Sequence, residues 1–175
     1  MAIVQLDKVL AGVSGNMESI IAYSDATTQL ADYTNGIFVE VGSFIEKADS
    51  TAQVARFGEV KQGILSTKGA GDVVMLHAPE LQYDEKKFMR DFKNEKGKVV
   101  RGYRLATGDI FTFTDSALPI TNHADLKVGD KLVVENGRLV KAVGDVEAGQ
   151  LSFDVVADAG NELDIVETAW VIQVK

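Results

Sequence analysis

The chain has 175 residues, 46% of them hydrophobic and 25% charged, so it can bury a core of its own and is not a wholly disordered polymer. It has no cysteine, which excludes disulfides, thiolate nucleophiles and Cys-based zinc sites. Its net charge of −8 argues against nucleic acid as a partner, because that binding rests on Lys and Arg neutralising phosphates.

The opening stretch MAIVQLDKVLAGVSG has no basic leader region and no apolar run of secretory type. No stretch reaches the roughly 18–20 apolar residues that span a bilayer. The expectation is a protein made in the cytosol that stays soluble, with no membrane partner. Residues 1–35 differ in pattern from the rest of the chain. AIVQLDKVL reads as a short strand, but MESIIAYSDATTQLADY carries no sustained 3.6-residue stripe. This predicts an N-terminal arm or irregular loop whose apolar residues lie on the chain's own core or on a neighbour. Its candidate partner-contact residues are Ile3, Val4, Leu6, Val9 and Leu10.

From residue 36 the pattern is β-like. GIFVEVG (36–42) is a short strand between glycines, and AQVARFGEVKQGILS (52–66) is a strand pattern broken at Gly58 and Gly63. DVVMLHAP (72–79) is a continuous apolar run ended by Pro79, the signature of a strand buried on both faces. QYDEKKFMRDFKNEK (82–96) places Phe88, Met89 and Phe92 on one face, with acids at its start and Lys93 near its end, which predicts one short helix. Strands return at 98–106, 109–115, 130–143, 150–158 and 163–175. In the last, Val166, Thr168, Trp170, Ile172 and Val174 alternate onto one face, so Trp170 is expected in the core.

Two turn signals stand out. LATGD (105–109) and LKVGD (126–130) share Leu-x-x-Gly-Asp before a strand, where Gly supplies positive φ and Asp bonds nearby backbone amides. Asn136-Gly137 predicts a type I′ hairpin turn, with Val134 opposite Leu139 and Val133 opposite Val140. Leu132, Val134 and Leu139 form its core face, and the mixed face or the tip is a candidate contact surface. The resulting fold class is mainly β, an antiparallel sandwich or barrel with one short helix and an N-terminal arm. The organisation is 1–35 arm, 36–175 β-rich body.

No residue of the chain reads as catalytic, cofactor-binding or metal-binding. His77 lies in the apolar run and His123 in a loop, with no HExxH and no Gly-x-Ser-x-Gly elbow in the chain. Asp84 and Glu85, and Glu162, Asp164 and Glu167, read as solvated acids; glycoside hydrolysis needs a carboxyl crowded in an aromatic cleft. STKGAGD (66–72) has its Lys ahead of the glycines and a strand after them, so it reads as a turn and not a phosphate loop. Arg101 and Arg104 beside Tyr103 read as cross-strand partners for acids.

Together, MAIVQLDKV, GYRLATGDIFTFT, LKVGDKLVVENGRLV and the closing ETAWVIQVK resemble, in style and layout over residues 36–175, the capsid decoration (cement) proteins of tailed bacteriophages. The resemblance implies a β-rich, often oligomeric structural subunit that is not an enzyme and takes no cofactor. It implies two partners, the major capsid protein and further copies of itself, and a place on the virion exterior. The arm would reach onto the capsid or a neighbouring copy, so deleting residues 1–35 would abolish capsid binding and leave the body folded. Two other readings are a phage tail-tube subunit and a small β-sandwich hydrolase or carbohydrate-binding module.

Overall fold

The structure is a computed structural model, described here for residues 3–9, 16–45, 60–79, 91–118 and 123–175. The strands are β1 (Val4–Lys8), β2 (Met17–Tyr23), β3 (Ile37–Phe44), β4 (Val60–Leu65), β5 (Val73–His77), β6 (Val100–Tyr103), β7 (Ile110–Thr114), β8 (Lys131–Glu135), β9 (Arg138–Lys141), β10 (Ser152–Gly160) and β11 (Ala169–Val174). They form an open six-stranded sheet, β1-β7-β11-β10-β8-β9, and a closed barrel, β2-β4-β3-β5-β6. The mainly-β class is as expected from the sequence. All pairings in the open sheet are antiparallel, but β2 and β4 pair in parallel within the barrel.

Alternation explains how the two sheets share residues. On β3, Ile37 and Val39 join Ile20, Ala22, Val74, Leu76 and Val100 in the core of the barrel. Phe38 and Met75 point the other way, into the core of the open sheet with Phe111, Phe113, Phe153, Trp170 and Ile172. The rings of Phe38 and Phe153 meet edge to face at 5.6 Å. β5 therefore needs apolar side chains on both faces, which is why its sequence shows no alternation.

A barrel of five strands is narrow, because diameter grows with strand number. Two glycines face its interior. A Cβ on Gly63 would lie 2.5 Å from Ile20 Cγ2 and 2.7 Å from Val39 Cγ2, and one on Gly102 would lie 2.7 Å from Val74 Cγ2. Gly63 sits inside β4 and does not break it.

The two Leu-x-x-Gly-Asp stretches fold alike. Gly108 has φ 94° and Gly129 φ 93°. Ala106 N donates to Asp109 Oδ2 at 2.9 Å, and Lys127 N to Asp130 Oδ2 at 2.8 Å. Gly108 N donates to Val174 O and Val174 N to Asp109 O; Gly129 N and Asp130 O do the same with Val155. Each turn thus launches a strand, β7 or β8, against one side of the β10–β11 hairpin.

The β8–β9 hairpin has the predicted register and turn, with φ 48° at Asn136 and 75° at Gly137. Leu132, Val134 and Leu139 are buried as expected. Its tip is not a free surface. Gly137 N donates to Ser66 O at 2.7 Å, and Phe38 N donates to Gly137 O at 2.8 Å. The tip is docked on the barrel.

Two expectations need correction, the loose arm and the start of the closing strand, and a third lies mostly outside the described residues. The described part of 1–35 is no loose arm, since β1 lies beside β7 and β2 is a barrel stave. The region hid its β character because its partners are far along the chain. Most of the predicted helix, 82–90, lies outside the described residues, while in 91–96 Asn94 forms a β-bridge to Tyr33. The helical elements that lie wholly within the described residues are two single 3-10 turns, Asp115–Ala117 and His123–Asp125. The closing strand begins at Ala169, and 161–168 is a loop.

Candidate functional site

The residues first considered for partner contact are placed against the chain's own core. Ile3 and Val4 are buried. Ile3 N donates to Thr114 Oγ1 at 2.9 Å, and Val4 packs in the core of the open sheet. Leu6 and Val9 are part-buried against that same core, and Leu10 lies outside the described residues. Strand β1 is therefore an edge of the fold, not a tether whose apolar side chains are free for another molecule.

His77 joins this edge to the barrel. Its Nε2 lies 3.1 Å from the Val4 carbonyl, which can only accept, so Nε2 carries the proton and donates. Its Nδ1 is buried without a partner. Burial pushes the imidazole pKa down, and the bond to Val4 opposes that shift. This part-buried histidine straps β5 to β1. His123 lies in the second 3-10 turn.

The strongest charged constellation is also a strap. Arg104 binds Asp72 through two bonds, Nε–Oδ1 at 2.9 Å and Nη2–Oδ2 at 2.7 Å, and also binds Glu18. Lys61 Nζ reaches Glu18 Oε1 at 3.1 Å. Arg104 holds both carboxyls below their ordinary values, and they in turn raise its own pKa. The chain ties β2, β4 and the 66–72 loop to the end of β6, in line with the expected pairing of Arg104 with acids. Asp84 and Glu85 lie outside the described residues. Among the described residues, no group of three or more His, Asp or Glu could hold a metal ion, and no helix is long and apolar enough to cross a membrane.

A polar cleft of about 760 Å³ lies beside β4, between the loop after β2 and the end of β3, lined by Tyr23, Thr28, Ser43, Phe44, Gln62 and Lys96 among others. Phe44 is exposed at its rim, with Lys61 Nζ 5.3 Å from the ring centroid.

The other large exposed hydrophobics among the described residues belong to the open sheet: Val128, Val143, Val156, Ile165 and Val166. Val156 is on β10 and Val143 follows β9. Val128 lies in the turn before β8, and Ile165 and Val166 in the β10–β11 loop. From the strand directions, Val128, Ile165 and Val166 lie at the end of the sheet opposite the docked 136–137 tip.

The β10–β11 loop is held by its own polar groups. Gly160 N donates to Asp158 Oδ1 and Val166 N to Asp164 Oδ1, both at 2.8 Å. Ser116 Oγ donates to Glu167 Oε1 at 2.7 Å. At the loop's base, Asp115 accepts from Thr168 Oγ1 and from Trp170 Nε1, the latter at 3.1 Å. On this anchored loop, Ile165 is 91% and Val166 68% exposed. Sequence reasoning missed this pair by running the closing strand back to 163. The signal was Gly160-Asn161 followed by Glu162 and Asp164, turn residues and acids that interrupt a strand.

Comparison of the chain with protein-family models, with curated proteins and with solved structures finds no match.

Proposed function

We propose that this protein is a structural subunit of a tailed-phage particle that binds the outer surface of the capsid and stabilises it. The observation that carries the proposal is the distribution of exposed apolar side chains. One end of the open sheet is docked on the barrel through the 136–137 tip. The opposite end presents Val128, Ile165 and Val166 to solvent. A body of this kind, with a fixed fold and exposed apolar side chains among acids at one end, suits attachment to another surface. The charge of −8 keeps many copies apart and soluble in a crowded shell. The shifted groups His77, Glu18, Asp72 and Arg104 have roles in holding strands together, so they fit a scaffold.

The test is negative-stain microscopy of the purified protein, alone and mixed with empty capsids of a tailed phage whose genome encodes this chain. The expected result is added density on the capsid exterior. Long tubes formed by the protein alone would move the assignment to a tail-tube subunit. A protein that neither assembles nor binds capsids would overturn both structural readings.

A further inference from the structure

We propose that the β10–β11 loop is the docking tip, with Ile165 and Val166 entering an apolar pocket rimmed by Lys or Arg on the capsid shell protein. This inference rests on the capsid-binding reading and deepens it. Three observations carry it. The two side chains are the most exposed adjacent apolar pair described, at 91% and 68%. The loop that bears them is shaped by the Asp164–Val166 bond and fastened to Ser116 through Glu167, so part of its order is already in place. A preordered tip loses less conformational freedom on binding than a floppy one.

The surrounding charge selects the occupant. Asp158 and Glu162 are exposed, and Asp164 is partly exposed beside the pair. A second copy docking tip to tip would press these acids against their own equivalents. Nucleic acid and anionic lipid would be repelled by the same acids. A protein pocket with an apolar floor and a basic rim satisfies both features, because complementary potentials favour the encounter.

The experiment compares three full-length chains: unmodified, Ile165→Ser/Val166→Ser, and Glu162→Lys. Asp164 is left in place because it holds the Val166 amide. Each is co-sedimented with empty shells of the major capsid protein of a tailed phage whose genome encodes this chain, at low and high salt. Melting temperature and solution mass are measured alongside. The double serine chain should bind at least about tenfold more weakly, as loss of a central apolar anchor does, with an unchanged melt and mass. Glu162→Lys should weaken binding most at low salt, where charge attraction is least screened. If the unmodified chain binds and the double serine chain binds equally well, the docking tip is wrong and the capsid reading stands. If the unmodified chain does not bind, the reading falls and the inference with it. If the serines dissociate a homo-oligomer, the tip contacts a second copy and the inference is overturned.

Discussion

Gly63 shows how one residue can carry a constraint that its neighbours in sequence do not reveal. In a strand, replacing Gly by a side chain ordinarily gains up to about 1 kcal/mol, because Gly has high backbone entropy and no packing. Here the added Cβ meets Ile20 Cγ2 at 2.5 Å and Val39 Cγ2 at 2.7 Å, with the narrow barrel offering no space to yield. Overpacking of a tight core costs about 1–3 kcal/mol, so the steric term exceeds the propensity term. Gly63→Ala is therefore expected to lower stability by about 1–2 kcal/mol in chemical denaturation. Val39→Ala removes one clashing methyl, so the double variant should be more stable than the sum of the two single losses predicts. Additive losses would show that Gly63 is not limited by this contact. In sequence Gly63 looks like a strand breaker, since only the positions of β2 and β3 reveal what faces it. Asn136-Gly137 was legible because a type I′ turn is set by two adjacent residues.

At the level of elements, the Leu-x-x-Gly-Asp turns were legible for the same local reason, and they differ in a testable way. Asp109 is buried at 2% exposure. Asp130 is partly exposed, and it also binds Lys141 Nζ at 2.6 Å. Removing the buried carboxylate leaves the part-buried Ala106 amide without this acceptor, whereas the Lys127 amide is exposed to water. Asp109→Ala should therefore cost about 1–3 kcal/mol and Asp130→Ala nearer to about 1 kcal/mol, read from melts at neutral pH. Equal losses would mean that burial does not distinguish the two turns. Acid behaviour gives a second readout for Asp130. Hydrogen bonding to Lys141 holds its carboxyl below the ordinary value of 3.8, with partial burial opposing and the Lys127 amide assisting. The native state thus prefers the ionised form. That contribution is complete above the ordinary value and is lost as pH falls through the lower, folded one. An Asp130→Asn chain should lose less stability than the unmodified chain over that acid range. The β10–β11 loop was less legible than the turns, because Ile165, Val166 and Trp170 make a plausible strand until the bonds at Asp158 and Asp164 are seen to end it.

At the scale of the whole molecule, long-range pairing decides what the N-terminal region is. β1 pairs Val4 with Phe113 and Leu6 with Phe111, and β2 pairs Ser19 with Arg101. β2 also runs parallel to β4, Ile20 beside Lys61. No period within residues 1–35 encodes these partners, so the segment looked like an arm. The two edges of the open sheet carry charges, Asp7 and Lys8 on β1 and Arg138 and Lys141 on β9, which discourage unplanned strand addition. Opening the barrel would bare two further edges, with one charge each, Lys61 on β4 and Arg101 on β6. Deleting residues 1–35 would remove a stave, expose the edges of β4 and β6, and take Ile20 and Ala22 out of the barrel core. The truncated chain is therefore expected to lose its cooperative melt and aggregate, contrary to an arm whose removal spares the body. Deleting only residues 1–9 should leave a folded protein with a lower melting temperature, since the loss is then one edge strand and the His77–Val4 bond. Circular dichroism and size-exclusion chromatography on both truncations decide the matter. A 36–175 chain that melts cooperatively near the temperature of the full protein would show that the barrel does not need β2.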